Sequence, residues 1–403
     1  MSKKKYLAWF YDFSIEKNFN QFVNANSFLF GKFNEEFNKI YLINTQGLKF
    51  IPGKDRFKYD FVDHFKLPSN FEFFNPHDSN EFNNFIENKE LIGIKSFNND
   101  FSSTKVNFLL KRNNIKLIQI ANIGNVQYGP KILKGSILKG IISKFQKNLS
   151  HKLNVVFSNL NLISKIEIKF LTNSKIFEET NKKNKFNNLN LSIVKKHILI
   201  NSKAFDLMKE SKAEIQENKI VLLDEMIDAE EYAKFGELAD KKKIEKHYLN
   251  LNKLLKNISK IYQKDVVICL HPKDSKELKK KYLPDFEIVQ FKTKEMISSA
   301  FLVLFFESSA IIDAILIRKR IITLFSSILD KNQIDYGLHY IKEVGISKIN
   351  IDEDFLINKD NFLIELDNAK KNYTKYIKTY IACDGDSLGY KKIVNTIKEK
   401  FFK

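Results

Sequence analysis

A chain of 403 residues is too long for one ordinary hydrophobic core and suits two domains of about 150–200 residues each. Its hydrophobic content of 43% is typical of a globular protein, and its two cysteines exclude a disulfide framework and a cysteine-rich zinc site. The net charge of +19 points to an anionic partner, which could be nucleic acid, a membrane surface or an anionic substrate.

The N-terminal half predicts an α/β domain. Residues 6–11, 38–43, 91–97 and 115–121 are predicted strands, and the polar stretch 172–190 is predicted to be a loop. The apolar run at residues 6–10 is too short for a signal peptide. No apolar stretch approaches the roughly 18–20 residues of a membrane-spanning helix, so we expect a cytoplasmic protein that is either soluble or peripheral on a membrane.

One segment stands out by its charge. Residues 101–166 contain eleven lysines and arginines and no Asp or Glu. Within this segment, a helix from about residue 132 to 149 would have an apolar face bordered by lysines, which is typical of a helix lying on anionic lipid. The same pattern would also suit a helix packed on the core with a solvated basic rim. The first interpretation predicts that residues 131–152 contact the inner face of the cytoplasmic membrane.

The C-terminal half alternates short apolar runs with helical patterns. Strands are predicted at residues 219–225, 265–270, 286–291, 301–306 and 320–325. Helices are predicted at residues 241–264, 273–282, 293–300, 308–317 and 334–344, with Thr293 capping the third of them. This alternation indicates a parallel sheet covered by helices on both faces.

We therefore expect two Rossmann-like domains. Residues 1–215 are predicted to bind the acceptor and residues 216–385 to bind a nucleotide, and a C-terminal helix in residues 386–403 could pack back on the first domain. Ligands of parallel sheets bind beyond the carboxyl ends of the strands. That rule selects the loops around residues 224–225, 271–272 and 307–309.

The loop after residue 270 begins with His271, Pro272 and Lys273. An imidazole at a strand end can donate to a phosphate or to a leaving oxygen, the proline restricts the turn, and the lysine adds positive charge. A lone histidine in such a place is more often structural. His271 becomes a candidate for phosphate binding and leaving-group assistance only together with the neighbouring loops.

Ser308 and Ser309 follow the strand ending at residue 306 and are predicted to open a helix. A helix N-terminus binds anions, although serine is also an ordinary capping residue. The predicted nucleotide-binding residues are His271, Pro272, Lys273, Lys292, Thr293, Glu307, Ser308 and Ser309. Walker, G-x-G-x-x-G and nucleophile-elbow motifs do not occur, which argues against common ATPases, dehydrogenases and hydrolases.

Three carboxylates at the ends of predicted strands are candidate general bases. Asp224 and Glu225 end a strand of the second domain, and Asp12 ends the first strand of the chain. The alternative for each of them is an ordinary solvated strand end. Metal binding is not expected, because no D-x-D triplet precedes the nucleotide loops and the histidines are scattered.

Five pieces of the second half resemble bacterial surface-polysaccharide glycosyltransferases of capsule and lipopolysaccharide clusters. They are LLDE (222–225), HYLNLNKLL (247–255), VVICLHPK (266–273), FKTKEMI (291–297) and FESSAIIDAIL (306–316). The His-Pro element followed by Ser-Ser is similar to bacterial sialyltransferases and polysialyltransferases. That resemblance implies the GT-B fold, in which two Rossmann-like domains face each other across a cleft, and a metal-independent reaction with a CMP-activated sugar.

The resemblance implies that His271, Ser308 and Ser309 hold the CMP phosphate. The expected function is transfer of an acidic sugar, a nonulosonic acid or Kdo, to an anionic surface-glycan or lipid-linked acceptor, with no cofactor besides the nucleotide-sugar donor. A clean copy of the acidic N-terminal motif that carries the base in sialyltransferases is missing, so the base stays open. A CDP-glycerol-type glycerophosphotransferase is an alternative in the same class. A nucleic-acid-binding protein, which we do not expect, and a non-catalytic scaffold are the alternatives of another class.

Overall fold

The computed structural model describes residues 3–12, 16–49, 67–97, 103–120, 153–186, 193–210, 217–225, 241–271, 274–353 and 359–403. In this part of the chain, residues 3–120, 153–200 and 386–403 form one compact unit, and residues 201–385 form a second. The predicted amphipathic helix at residues 132–149 and the predicted membrane-contacting stretch 131–152 lie outside the described residues.

Seven parallel strands form the sheet of the first unit: β1 (Lys4–Tyr11), β2 (Ile40–Asn44), β3 (Phe71–Phe74), β4 (Lys89–Ser96), β5 (Lys116–Ile120), β6 (Ile166–Leu171) and β7 (Val194–Leu199). Their order in the sheet is β3-β2-β1-β4-β5-β6-β7. The chain reverses its direction of winding between β1 and β4, so the carboxyl ends of these two strands mark the switch point where ligands of such sheets bind.

Six parallel strands form the sheet of the second unit: β8 (Lys219–Leu223), β9 (Asp265–Leu270), β10 (Glu287–Gln290), β11 (Ala300–Phe305), β12 (Arg320–Phe325) and β13 (Ser347–Asn350). Their order is β10-β9-β8-β11-β12-β13, which is the order of a doubly wound nucleotide-binding sheet. The switch point lies between β8 and β11. Apart from Lys219, the two central strands consist of apolar residues, nearly all of them buried, as is typical of parallel sheets.

Helices connect the strands and cover both sheets. Their bounds are α1 (Glu16–Glu36), α2 (Ser79–Ile86), α3 (Thr104–Arg112), α4 (Ser174–Phe186), α5 (Lys203–Glu210), α6 (Lys241–Tyr262), α7 (Lys276–Tyr282), α8 (Thr293–Ser298), α9 (Ile311–Leu316), α10 (Lys331–Val344), α11 (Lys359–Tyr380) and α12 (Gly389–Ile397). None of the helices in the described part of the chain is long and apolar enough to span a bilayer.

The prediction of a loop at residues 172–190 is wrong, because α4 occupies most of it. The side-chain oxygen of Asn173 accepts a hydrogen bond from the backbone N–H of Ile176 at 3.1 Å and so caps the first turn. β6 and β7 are parallel neighbours and need a crossover between them, and such a crossover is usually a helix. The polar composition of α4 is that of a solvent-exposed helix. In a single sequence, such a composition is hard to distinguish from that of a loop.

Within the described residues, the chain passes from the first unit to the second after Ile200 and returns after Gly385. Asn201 connects the two crossing segments by hydrogen bonds within the second unit. Its side chain accepts a hydrogen bond from the backbone N–H of Asp384 at 2.7 Å and donates one to the carbonyl of Gly385 at 2.8 Å. After the second crossing, α12 packs into the core of the first unit through its apolar face, which consists of Tyr390, Ile393, Val394 and Ile397.

Candidate nucleotide-binding site at the carboxyl edge of the second sheet

The carboxyl edge of the second sheet brings the predicted loops together. Asp224 follows β8, His271 follows β9, and Ser308 lies three residues beyond β11. Because β9, β8 and β11 are consecutive neighbours and strands lie about 4.8 Å apart, the ends of β9 and β11 are separated by about 10 Å. That distance suits the phosphate and ribose of one nucleotide.

His271 is exposed at the end of β9, and its backbone is held in place. Its carbonyl oxygen accepts a hydrogen bond from the side chain of Gln290 at 3.2 Å and another from the backbone N–H of Asp274 at 3.0 Å. Gln290 also donates to the carbonyl of Asp274 at 3.1 Å, so the end of β10 fixes both ends of the loop. Pro272 and Lys273 lie outside the described residues.

Ser308 and Ser309 form a tight turn between β11 and α9. The hydroxyl of Ser308 accepts a weak hydrogen bond from the N–H of Ala310 at 3.4 Å, and its carbonyl accepts one from Tyr336 Oη at 2.8 Å. Ser309 is exposed, and Glu307 is half-buried beside the pair. The prediction that Ser308 opens a helix is wrong by three residues: α9 begins at residue 311, because the serines are used in the turn that precedes it.

Lys292 and Thr293 lie at the end of β10, where α8 begins. Lys292 occupies the N-cap position, is exposed, and makes no side-chain capping hydrogen bond. The prediction that Thr293 caps this helix is therefore wrong, since Thr293 is its first helical residue. The preceding residue, Phe291, is 76% exposed and has a φ of 63°, which is unfavourable for a phenylalanine.

Asp224 lies in a buried ionic cluster behind the exposed loops. Lys279 of α7 has a fully buried side chain, and its Nζ lies 2.9 Å from Asp224 Oδ2 and 3.2 Å from Asp274 Oδ2. Nζ also donates to the carbonyl of Glu225 at 3.0 Å and to the hydroxyl of Tyr248. The Lys279 ammonium group thus connects α7 with the loop after β8 and with the loop after β9.

Burial raises the pKa of the Asp224 carboxyl to about 7. The positive charge of Lys279 opposes that effect, and the neighbouring Asp274 adds to it. Two carboxylates around one ammonium leave the cluster one negative charge in excess when all three groups are ionised. A proton bound at Asp224 removes that excess.

Glu225 is also turned into the second unit, where it is 4% exposed. Its Oε1 accepts a hydrogen bond from the side-chain amide of Gln333 on α10. The side chains of Asp224 and Glu225 therefore have partners on α7 and α10, on opposite faces of the sheet. This arrangement suits residues that position the loops.

A second, partly buried hydrogen-bond network supports the loops after β12 and β13. The hydroxyl of Ser326 donates to Asp352 Oδ2 at 3.2 Å and lies 3.0 Å from Nδ1 of the buried His247. Burial alone would raise the pKa of Asp352, but hydrogen bonds from Ser327, Asn250 and Ser326 outweigh that effect and lower it. Because Ser326 donates to Asp352, His247 must donate from Nδ1 to Ser326.

Asp12 follows β1 at the switch point of the first sheet, and its side chain is 6% exposed. Lys49 Nζ lies 2.5 Å from Asp12 Oδ2, and the side-chain amide of Gln46 donates to Oδ1. Both oxygens of this carboxylate are therefore engaged by the segment that follows β2. Its role as a general base stays a prediction.

The sequence patterns do not single out Lys279, Asp274, Gln333 or Tyr336. Lys279 is one of three consecutive lysines on α7, and composition cannot tell which of them is buried. The apolar residues around it are a usable signal: Leu278 and Leu283 flank it, and Tyr282 stacks on Tyr248 with ring centroids 4.5 Å apart. The resemblance at residues 247–255 likewise assigns no role to the histidine that begins it.

Comparison with solved structures supports the architecture. A UDP-N-acetylglucosamine 2-epimerase is 10% identical with a TM-score of 0.51, over 100% of this chain and 98% of its own. A putative UDP-N-acetylglucosamine 2-epimerase from Listeria monocytogenes (12%, TM-score 0.47, 100% and 97%) and the wall teichoic acid polymerase TagF (11%, TM-score 0.48, 98% and 89%) are similar more distantly.

No protein-family profile matches the chain, and no curated protein matches it in sequence. At such low identity, structural likeness informs on the fold alone. Two parallel α/β sheets and a full-length match to a nucleotide-sugar epimerase confirm the predicted fold class, and the chain has a GT-B-type fold.

Proposed function

We propose that the chain is a glycosyltransferase that binds a nucleotide sugar at the carboxyl edge of its second sheet. The observation that carries the proposal is the division of that edge into exposed donors and buried carboxylates. His271, Lys292 and Ser309 are exposed, whereas Asp224 and Glu225 are buried. An edge with exposed donors and with its strand-end carboxylates buried suits an anionic phosphate.

The order of the strands suggests how a nucleotide lies along this edge. Phe291 follows β10, His271 follows β9, and the serine turn lies beyond β11, so the three points span about three strand spacings, or roughly 14 Å. We place the nucleobase against the ring of Phe291 and the phosphate between His271 and the serines. An exposed aromatic ring held at a positive φ is a strained arrangement that a ligand-binding role explains.

In the proposed reaction, the acceptor displaces the nucleotide directly at the anomeric carbon. His271 stabilises the departing phosphate, assisted by Ser308 and Ser309 and by the charge of Lys292 and Lys273. Glu307 precedes the serines, and its half-buried carboxylate can accept hydrogen bonds from ribose or sugar hydroxyls. The base that activates the acceptor is not assigned, because the three candidates, Asp12, Asp224 and Glu225, each have partners within their own unit.

The donor we propose is a CMP-activated acidic sugar, on the strength of the His-Pro and Ser-Ser elements. The acceptor we propose is an anionic surface glycan or a lipid-linked glycan at the inner face of the membrane, in keeping with the net charge of +19. A CDP-glycerol-type transfer would use the same edge and the same phosphate contacts, so the nucleotide alone cannot distinguish the two.

The test begins with a thermal-shift screen of the whole chain against CMP, CDP, UDP and GDP, where a cytidine nucleotide should give the largest shift. Calorimetry then compares His271→Ala with the wild type. Loss of a charge-assisted hydrogen bond costs about 1.5–3 kcal/mol, so CMP should bind roughly 10- to 150-fold more weakly while the fold is retained.

His77→Ala is the matched control, since His77 is exposed in the first unit and should leave CMP affinity unchanged. Unchanged CMP affinity in His271→Ala would remove His271 from the site. Absence of a shift with all four nucleotides would reject the nucleotide-binding proposal itself.

A further inference from the structure

Helix α6 has two faces with the same spacing and opposite chemistry. The buried face packs on the second sheet through Ile244, Tyr248, Leu251, Leu255, Ile258 and Tyr262, spaced 4-3-4-3-4 along the chain. The opposite, solvent-facing side repeats that spacing two residues earlier with Lys242, Lys246, Leu249, Lys253, Lys256 and Lys260. We call this second set the lysine stripe. It runs for about 27 Å at the helical rise of 1.5 Å per residue.

The charge of the second unit is concentrated on the layer that carries the lysine stripe. Helices α6 and α7, which pack against each other, contain eleven lysines and two glutamates. The helices of the opposite layer, α5 and α8 to α11, contain ten lysines and nine carboxylates. One layer is therefore strongly basic and the other nearly neutral, although both cover the same sheet.

Partners within the chain engage part of the stripe. Lys256 pairs with Asp285 at 2.7 Å, and both side chains are more than half exposed. Among the described residues, Lys246 and Lys260 have no carboxylate partner. Lysines at i and i+4 or i+3 repel one another and weaken the helix unless an external anion screens them. By contrast, the buried Lys279 of α7 is fully neutralised by two aspartates.

We propose that the lysine stripe docks the second unit on an anionic lipid bilayer. A straight row of exposed lysines on a long helix matches a flat array of negative headgroups. Leu249, 70% exposed in the middle of the row between Lys246 and Lys253, provides an apolar side chain at the depth of the headgroups. This surface is distinct from residues 131–152, and its existence does not depend on the identity of the sugar donor.

Vesicle binding of the full-length chain tests the proposal. The wild type should sediment with phosphatidylcholine vesicles that contain phosphatidylglycerol, and not with phosphatidylcholine alone. The variant K246E/K253E/K260E should bind the anionic vesicles at least about tenfold more weakly, because each lysine near the surface contributes appreciably to binding. The control K371E/K375E/K378E makes the same charge change on the exposed face of α11 and should bind like the wild type.

A tryptophan in place of Leu249 reports where the stripe lies. The only native tryptophan, Trp9, is 2% exposed in the first unit, so it forms a constant background. The variant Leu249→Trp should show a blue shift of its emission with anionic vesicles and none with soluble polyphosphate. Equal vesicle affinity of the two triple-lysine variants would overturn the proposal, as would an emission from the introduced tryptophan that is unmoved by vesicles that do bind the protein.

An acidic segment of the same chain is an alternative partner for the lysine stripe. Residues 226–240, just before α6, include five acidic residues and one lysine and lie outside the described residues. If vesicle binding appeared only after Glu230, Glu231 and Glu237 were changed to glutamine, the stripe would belong to that segment and not to the bilayer.

Discussion

Two regions at the carboxyl edge of the second sheet differ in the exposure of their polar side chains. The ionic cluster of Asp224, Asp274 and Lys279 is sealed, with side chains at most 3% exposed, whereas His271 and Ser309 face solvent a few residues away. The buried groups connect β8, β9 and α7, and the exposed groups lie on loops whose backbone is held by side chains of β10 and α10.

The comparison distinguishes residues that fix the conformation of a loop from residues that bind a ligand. A buried ion pair contributes little to net stability compared with a well-packed apolar group, but removing one partner is costly because a charge is left unpaired. Such a cluster sets the conformation of the loops it joins. The solvent-facing histidine and serine carry no such penalty, so their removal should affect ligands far more than folding.

The largest expected effect comes from breaking the sealed cluster. Lys279→Met leaves two buried carboxylates without a cation and should lower the free energy of unfolding by about 3–5 kcal/mol. Urea denaturation of the whole chain measures it. Lys280→Met is the matched control on the exposed neighbour and should change the free energy by no more than about 0.5 kcal/mol. Equal effects of the two substitutions would contradict the assignment of Lys279 as the cation of the cluster.

The next effect concerns the exposed side of the comparison. If Phe291 stacks on the nucleobase, Phe291→Ala should weaken CMP binding by about 1–3 kcal/mol, or roughly 5- to 150-fold, and leave ribose 5-phosphate binding unchanged. Isothermal titration with both ligands measures the difference. His271→Ala should weaken both ligands, since both carry the phosphate.

Ile364→Ala, which truncates a 61% exposed side chain on α11, is the control for Phe291→Ala. A glycine at position 291 accepts the positive φ, so Phe291→Gly should be at least as stable as Phe291→Ala while losing the same affinity. A loss that is equal for CMP and ribose 5-phosphate would exclude stacking on the base.

The last prediction concerns the pH dependence of the sealed cluster. Burial raises the folded-state pKa of Asp224 from 3.8 to about 7, so the folded protein holds this proton more tightly than the unfolded chain. The contribution of Asp224 to stability is therefore complete below about pH 4 and is lost as the pH rises towards 7. Thermal melts should show Asp224→Asn gaining stability relative to the wild type between about pH 5 and 7.5. A constant difference across that range would show that Asp224 does not hold the proton.

Much of the second unit was predictable from its sequence. β9 and β12 have the predicted bounds, and β8, β10 and β11 differ from prediction by one or two residues at their ends. These strands are compact apolar runs buried on both faces, which leave little ambiguity. In the first unit the predicted strands omit β3, β6 and β7. In β6 and β7, charged residues such as Glu167, Lys169 and Lys196 interrupt the apolar pattern near the edge of the sheet.

The candidate site was predictable only as a set of loops. Short apolar strands followed by polar residues at regular intervals determine a parallel sheet, and the carboxyl ends of parallel strands share one edge. His271, Asp224 and Ser308 could therefore be placed at that edge from the sequence. The sequence could not show which of them faces solvent, because a carboxylate at the end of a strand gives the same sequence pattern whether it is solvated or buried.

The sequence by itself determined the alternation of strands and helices, the spacing of the lysines on α6 and the loops that form the candidate site. Only the tertiary structure decided that Lys279 is buried while Lys280 and Lys281 are exposed, and that Asp224 meets its cation. Local patterns depend on neighbours a few residues apart. Burial and ion pairing depend on which distant segments the packing of helices against the sheet brings within about 3 or 4 Å of each other.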